Sequence, residues 1–159
     1  MDIIQIQYDQ LKKDSWSDKE VKNVKLMIDF IQNLMNKHNF DYAAKKFGNQ
    51  VYHQHNRAIP DGLEALIKYV KDFAKNYPEY TYDVKHIYAD DDFVIFHSHA
   101  TIKAQHRGND KKGLNIIDTW KIKDGQIVEH WDALQPIDGF MRFYNWMTGG
   151  SIKNTNGVF

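Results

Sequence analysis

The sequence contains no cysteine among its 159 residues. This absence excludes disulfide bonds, thiolate nucleophiles and zinc sites built from thiolates, and it is typical of proteins in a reducing compartment. Long apolar runs are also missing: the charged first twenty residues lack the apolar core of a signal peptide, and no run approaches the roughly 20 residues that cross a bilayer. The sequence therefore predicts a soluble, cytoplasmic protein with no membrane partner.

An excess of charge of either sign is absent too. Lysine plus arginine and aspartate plus glutamate number 21 each, so the formal net charge is zero. No overall field attracts the chain to a phosphate backbone, which argues against nucleic acid as a partner. Weak repulsion between copies permits self-association, and we expect a homodimer.

Core material, in contrast, is plentiful. Apolar residues make up 42% of the chain and aromatic residues 14%. A chain of this length and composition folds alone, and we expect residues 1–159 to form one domain with its core at about 17–135. The C-terminal extension, 136–159, carries aromatic residues that must pack somewhere. After Gly149-Gly150 we expect the last nine residues to be disordered.

The first half of the chain has the period of helices. Ser17 and Glu20 form a capping box that starts a helix ending near Lys37. Asp41 is the predicted N-cap of a second helix that runs to Phe47, with Gly48 as a left-handed C-cap. A third helix follows the turn at 60–62 and ends before Pro78.

The second half has the composition of β-strands. We predict strands at 80–88, 93–102, 114–123 and 126–134, because these segments are rich in β-branched and aromatic residues. Short turns at 90–92 and 124–125 and a polar loop at 107–113 separate them, so neighbouring strands pair as an antiparallel meander. Helices followed by strands indicate an α+β fold.

A carboxylate within a predicted buried strand is the strongest chemical signal. Asp118 lies between Ile117 and Trp120, and burial of a lone charge costs several kcal/mol. It is therefore paired, protonated or directed at a polar cavity, and each case shifts its pKa. A carboxyl group with a raised pKa suits general acid/base catalysis; a structural aspartate paired with lysine or histidine is the alternative.

The partner of Asp118 depends on the loop at 124–125. A two-residue turn sets Asp118 opposite Trp131, and a three-residue loop with a bulge sets it opposite His130. We favour the second, because it places Asp118, His130 and Asp132 on one face and leaves Lys121 beside Glu129 on the other.

Two further pairs of histidines are candidate site residues. His53 and His55 lie in an extended stretch before the turn at 60–62, and His97 and His99 share one face of a predicted strand. They suit metal binding, acid/base chemistry or simple hydrogen bonding at a surface. A metal ion usually needs three protein ligands, and the spacing does not secure the third, so we predict no metal.

Aromatic residues could form the floor of a pocket for a flat organic ligand. Tyr52, Phe96, Trp120 and Trp131 are the candidates, although core packing explains them equally well. The sequence has no glycine-rich phosphate loop, Gly-x-Ser-x-Gly elbow or His-Glu-x-x-His helix, so it gives no support for kinases, serine hydrolases or zinc proteases.

Four stretches resemble the SnoaL-like polyketide cyclases of the nuclear transport factor 2-like superfamily: 52–56, 60–62, 117–121 and 124–132. The resemblance spans about 25–135. It implies a cone-shaped fold in which a curved antiparallel sheet wraps three N-terminal helices, often dimeric through the outer face of the sheet. The chain departs from many relatives by having Lys121 in place of an arginine and an aromatic C-terminal extension.

The resemblance also implies ring closure by intramolecular aldol condensation without a metal or other cofactor. Asp118 or Asp132 would move the proton, with His55 or His97 polarising a carbonyl group and His130 close by. We expect the small-molecule ligand to contact a further set of side chains: Tyr52, Asn56, His99, Trp120, Trp131 and Gln135.

Three functions stay open at this point. The first is a cofactor-independent lyase or isomerase that acts on a small carbonyl compound. The second is a noncatalytic ligand-binding domain in which the same polar groups only orient a bound molecule. The third is a metal-dependent enzyme with His55, His97 or His99, and His130 as ligands.

Overall fold

The computed structural model describes residues 3–150 and 152–158. Among the described residues, none of the helices has both the length and the apolar character of a membrane-spanning segment. The elements in chain order are helix α1 (Tyr8–Leu11), helix α2 (Asp18–Ile31), a π-helical turn (Gln32–Asn36), helix α3 (Phe40–Phe47), strand β1 (His53–Gln54), helix α4 (Leu63–Asn76), strand β2 (Thr81–Asp90), strand β3 (Phe93–Thr101), a 3₁₀ turn (Ala104–His106), strand β4 (Leu114–Lys123), strand β5 (Gln126–Pro136) and helix α5 (Gly139–Thr148).

The capping box predicted at the start of α2 is confirmed. The Ser17 hydroxyl accepts the backbone N–H of Glu20 at 3.3 Å, and the Glu20 carboxylate accepts the N–H of Ser17 at 2.7 Å. The predicted cap of α3 is wrong: the Asn39 side chain accepts from Tyr42, so the helix starts before Asp41. Gly48 ends that helix with φ at −57°, in the right-handed region and not the left-handed one that we expected.

The four predicted strands form the predicted antiparallel meander. The sheet order is β1-β5-β4-β3-β2, with the short strand β1 added in parallel beside β5. A two-residue turn joins β4 to β5, and φ is +52° at Asp124 and +74° at Gly125. These two left-handed residues suit the twist of a tight hairpin.

Neither predicted register of the β4–β5 hairpin is correct. Lys123 pairs with Gln126 across the two-residue turn, but a bulge after Lys121 then shifts the strands, so Asp118 lies opposite Asp132. The extra residue in β5 restores the alternation that the three-residue loop would have produced. The predicted faces are therefore right: Asp118, His130 and Asp132 share one face, and Lys121 pairs with Glu129 on the other.

One face of the sheet is buried against the helices, and the other is partly exposed to solvent. The inner face packs against the helices and contributes to the core with Tyr82, Val84, Ile87, Val94, Phe96, Ala100, Ile116, Trp120 and Ile122. Helix α2 lies against β2 and β3, and its Val24, Met27 and Phe30 are fully buried. The outer face carries His97, His99, Asn115, Ile117, Trp131 and Gln135, which are half-buried or exposed.

The described part of the C-terminal extension, residues 136–150 and 152–158, packs against the rest of the chain, whereas we expected the last nine residues to be disordered. Helix α5 buries Met141 and packs Tyr144 against Tyr77 with ring centroids 5.9 Å apart. Residues 152–158, here called the C-terminal strap, lie along residues 54–61. Side-chain hydrogen bonds hold the strap there: Asn154 donates to the carbonyl oxygens of Asn56 and Ile59. Residues 151 and 159, also part of that prediction, lie outside the described residues.

Candidate active site

Asp118 lies in the middle of β4 with its side chain directed into the protein. It is 3% exposed, and its Oδ1 lies 3.0 Å from Nε2 of His130. Burial raises the pKa of Asp118 to about 6; the hydrogen bond to His130 opposes this rise, and the nearby charge of Asp132 adds to it. The carboxyl group therefore exchanges its proton near neutral pH, as a general acid or base requires.

His130 is held between aromatic rings and polar groups. The imidazole is 4% exposed and stacks on Trp120 and Tyr52, with ring centroids 5.3 Å and 6.1 Å away. Its other nitrogen, Nδ1, lies 2.9 Å from the side-chain oxygen of Gln54. Both ring nitrogens are thus engaged in a dry environment, where each hydrogen bond is stronger than it is in water.

Asp132 connects this buried pair with the protein surface. It lies directly opposite Asp118 across the strands and is only half-buried. Both of its carboxylate oxygens accept from the side-chain amide of Asn56 at 2.8 Å. Asn56 therefore fixes the position of this second carboxylate.

Some buried polar atoms at the site lack partners. Among the described residues, no group has good hydrogen-bond geometry to Asp118 Oδ2, the Tyr52 hydroxyl or the Gln54 side-chain nitrogen. Burial, and then the charges of Asp118 and Asp132, raise the pKa of Tyr52, so its hydroxyl keeps its proton. Trp120 and Gln54 are nevertheless close enough to the Tyr52 hydroxyl to oppose the rise of its pKa. Buried polar atoms usually have partners, so free ones beside a titrating carboxyl group point to an interaction with a ligand.

The same residues could in principle hold a metal ion. Asp118, His130 and Asp132 each offer one ligand atom, and these atoms lie within 4.8 Å of one another. However, His130 Nε2 and Asp118 Oδ1 already lie at hydrogen-bond distance from each other, and both oxygens of Asp132 are occupied by Asn56. In the structure, these atoms are therefore held by hydrogen bonds within the protein.

His55 and Trp131 lie on the opposite side of the sheet from Asp118, so the single pocket that we predicted does not include them. Their rings stack with centroids 4.7 Å apart. His55 Nδ1 lies 2.6 Å from the carbonyl oxygen of Gly157 in the strap, and its Nε2 lies 3.6 Å from Glu129. The alternation of β5 explains this, because His130 and Asp132 face inward and residue 131 faces outward.

His97, His99 and Gln135 also lie on the outer face and not with Asp118. A row of hydrogen bonds crosses four strands here: His86 to His97 at 3.2 Å, His97 to Asn115 at 2.7 Å and Asn115 to Gln135 at 3.1 Å. His99 is bonded instead to the carbonyl oxygen of Lys112. The metal site that we considered from His55, His97 or His99 together with His130 is therefore wrong, because the sheet separates these side chains.

An open groove of about 950 Å³ lies on this outer face, lined in part by His97, His99, Asn115, Gln135 and Arg142. Its lining does not include Asp118 or His130. The groove is thus distinct from the buried pair, although three of the predicted ligand-binding or catalytic residues line it. The residues that the structure does gather around Asp118 are Tyr52, Asn56, Trp120, His130 and Asp132.

Gln54 is the site residue that our sequence reasoning missed. It is fully buried and pairs with His130 along the parallel β1–β5 edge. From this extended stretch the prediction took Tyr52 and Asn56, which do lie at the site, together with His55, which does not. The alternation itself was the available signal, since it places Tyr52, Gln54 and Asn56 together on the other side.

The comparisons with known proteins agree with this architecture. A family model described as a SnoaL-like domain matches residues 28–130. No curated protein matches the chain. Among solved structures, a candidate polyketide cyclase from Bacillus cereus is 21% identical, with 94% of this chain and 99% of the other covered and a TM-score of 0.62.

Two further structures show the same fold at lower identity. A candidate SnoaL-like polyketide cyclase from Jannaschia is 12% identical, with 91% of this chain and 100% of the other covered and a TM-score of 0.62. A candidate hydroxylase from Streptomyces galilaeus is 18% identical, with 86% and 89% covered and a TM-score of 0.56. The chain has the predicted cone-shaped, nuclear transport factor 2-like α+β fold, and it belongs to the SnoaL-like domain family.

Proposed function

We propose that this protein is a cofactor-independent acid/base enzyme of the aldol-cyclase type. In this proposal it moves a proton beside the carbonyl group of a small organic molecule. The observation that carries the proposal is the buried pair of Asp118 and His130, 3.0 Å apart, with a free carboxylate oxygen and a free phenol nearby. The resemblance to candidate polyketide cyclases supports it.

The ionised Asp118 would act as the base. Its Oδ2 takes a proton from the carbon next to the carbonyl group, and the electron pair of that C–H bond becomes the C=C bond of an enolate. The negative charge moves to the carbonyl oxygen, where the neutral Tyr52 hydroxyl donates a hydrogen bond. The enolate carbon then attacks a second carbonyl group of the same molecule, and the protonated Asp118 supplies the proton that the new alkoxide needs.

The charges at the site indicate what kind of substrate fits. Within the described ranges, no lysine or arginine belongs to the buried set, whereas Asp118 is in it and Asp132 is half-buried beside it. A phosphate or carboxylate on the substrate would meet two acidic groups without a compensating cation. We therefore infer an uncharged substrate.

Hydrogen–deuterium exchange tests the proposal without knowledge of the natural substrate. Aryl alkyl ketones are incubated with the protein in heavy water, and deuterium incorporation beside the carbonyl group is followed by NMR. We expect exchange above the buffer rate, lowered about 10²–10⁴-fold in Asp118→Asn, as for the loss of a general base. Asp83→Asn is the matched control. It removes a carboxylate that is paired with Lys85 in β2, away from Asp118, and it should keep the wild-type rate.

The same experiment separates the enzyme from a noncatalytic binding domain. A ketone that shifts the resonances of Trp120 or Tyr52 but exchanges no faster than in buffer would contradict the catalytic proposal. Metal analysis of the purified protein and exchange in the presence of a chelator address the donor set of Asp118, His130 and Asp132. Loss of exchange on chelation would contradict the cofactor-independent mechanism.

A further inference from the structure

Gln54 is fully buried, and its side-chain oxygen contacts the imidazole that pairs with Asp118. The backbone on which this side chain stands is fixed from two sides. The N–H of Gln54 donates to the carboxylate of Asp61 at 2.8 Å, and the carbonyl oxygen of Gln54 accepts from the Asn156 side chain in the strap at 3.0 Å. The amide group therefore starts from a well-defined position.

The orientation of the Gln54 amide follows from a neighbour that can only donate. The backbone N–H of Asn56 lies 2.9 Å from Oε1 of Gln54, and a backbone N–H has no ability to accept. An amide turned by 180° would place its NH₂ group against this N–H, so the oxygen must face Asn56. As a consequence of this orientation, the buried side-chain nitrogen of Gln54 has no hydrogen-bond partner with good geometry among the described residues.

The orientation of the amide determines the protonation of the imidazole. The same oxygen of Gln54 lies 2.9 Å from Nδ1 of His130, so Nδ1 must carry a hydrogen and donate it. A neutral imidazole has one N–H, and its other nitrogen has a lone pair. That other nitrogen is Nε2, which lies 3.0 Å from Asp118 Oδ1.

We propose that Gln54 is a positioning residue that holds His130 in the Nδ1–H tautomer and thereby directs the basic nitrogen of the ring at Asp118. Nε2 can then take the proton of the Asp118 carboxyl group, which leaves a carboxylate and an imidazolium that still donates to Gln54. In the other tautomer, Nε2 carries the hydrogen and the neutral ring can only donate to Asp118. The role of this arrangement in catalysis rests on the proposed function; the tautomer itself does not.

The test is a direct NMR reading of the ring nitrogens. Protein labelled with ¹⁵N in histidine is examined at pH 5, below the pKa of about 6 of Asp118, so that a proton remains between Asp118 and Nε2. Two-bond ¹H–¹⁵N couplings then identify which nitrogen of His130 carries a hydrogen. We expect Nδ1–H in the wild type and in Gln54→Glu, which keeps an acceptor at this place. We expect Gln54→Leu, which removes the acceptor, to shift His130 to the Nε2–H form or to a mixture.

Gln32→Leu is the matched control, because Gln32 is also buried but bonds to the N-terminal segment at Ile4 and Ile6. This variant loses packing without touching His130 and should leave its tautomer unchanged. An Nε2–H tautomer in the wild type, or Nδ1–H retained in Gln54→Leu, would overturn the proposal. The wild-type reading decides the question even if Gln54→Leu fails to fold.

Activity gives a second reading that separates this proposal from the function. In the deuterium-exchange assay, we expect Gln54→Leu to lower kcat by about 10- to 100-fold with little change in KM, and Gln54→Glu to restore part of the loss. A wild type with the Nδ1–H tautomer but no exchange of any ketone would support the role of Gln54 and contradict the proposed reaction. Exchange activity together with the Nε2–H tautomer would support the proposed reaction and contradict the role of Gln54.

Discussion

The two faces of the sheet each hold a histidine with two polar partners, yet the two histidines have different surroundings. His130 on the inner face is bonded to Gln54 and Asp118, and aromatic rings stack on it. His97 on the outer face is bonded to His86 and Asn115, and it is only half-buried. The number of hydrogen bonds is the same, but His130 is enclosed with a carboxyl group, whereas His97 is partly exposed to solvent and neither of its two partners is a carboxyl group.

This difference shows which property makes a candidate site. Hydrogen bonds on the outer face can be exchanged for bonds to water at little cost, whereas those on the inner face have no such replacement. Burial also raises the pKa of Asp118 to about 6. The buried pair of Asp118 and His130 is therefore the better candidate for proton transfer at neutral pH than the half-buried row of polar groups on the outer face.

The largest difference in stability between the two faces should come from truncating two neighbouring side chains of β3, one on each face. Phe96 is fully buried, lies opposite Asp118 and packs edge-on against Trp120 with ring centroids 5.2 Å apart, whereas Ile95 points outward and is half-buried. We expect Phe96→Ala to lower the free energy of unfolding by about 3–5 kcal/mol and Ile95→Ala to lower it by about 1 kcal/mol or less. Urea unfolding measures both, and similar losses would mean that the outer face is covered.

Asp118→Asn should change the free energy of unfolding less than Phe96→Ala does, and it should raise this free energy at high pH. The pKa of Asp118 rises from 3.8 to about 6 in the folded state, so between these pH values the folded protein holds a proton that the unfolded chain releases. The contribution of Asp118 to stability is thus present below pH 3.8 and is lost as the pH rises through about 6. Since each pKa unit corresponds to about 1.4 kcal/mol, asparagine should raise the free energy of unfolding at pH 8 by about 1–3 kcal/mol.

The pH dependence separates this effect from a general change in packing. The gain in Asp118→Asn should disappear towards pH 4, whereas a stability difference that is equal at pH 4 and pH 8 would contradict the raised pKa. Asp72→Asn serves as the control of opposite sign. Hydrogen bonds to Lys75 and Lys68 lower the pKa of this exposed group to about 2, so its loss should destabilise the protein at neutral pH and not at low pH.

Much of the fold could be predicted from the sequence because local patterns determine it. The Ser17–Glu20 capping box, the boundaries of β4 and the Asp124-Gly125 turn all follow from short-range chemistry. The face of the sheet on which Asp118 lies could be predicted because side chains alternate between the two faces along a strand. The register did not, because the bulge after Lys121 depends on the twist that the hairpin adopts in the sheet and not on the turn residues alone.

The candidate site could be predicted only in part for a related reason. Asp118, His130 and Asp132 come from two adjacent strands, so alternation was enough to group them. Tyr52, Gln54 and Asn56 reach the site through a parallel pairing between β1 and β5 that links residues about 76 apart in the chain. Such a pairing has no local sequence signal, and the same pairing places His55 on the far side of the sheet. The position of the strap likewise depends on long-range hydrogen bonds from Asn154 and Asn156.

The smallest change in the free energy of unfolding should come from a substitution of His97 in the row of hydrogen bonds on the outer face. His97→Ala removes one partner each from His86 and Asn115, but water can bond to both, so we expect the free energy of unfolding to fall by only about 0.5 kcal/mol. The measurement is urea unfolding at two protein concentrations. A loss above about 2 kcal/mol would mean that these groups are enclosed in solution. A second copy of this chain could enclose them, because the zero net charge gives little repulsion between copies, and a loss that grows with protein concentration would identify it. A small, concentration-independent loss would show instead that the outer face is exposed to water, in contrast to the enclosed His130.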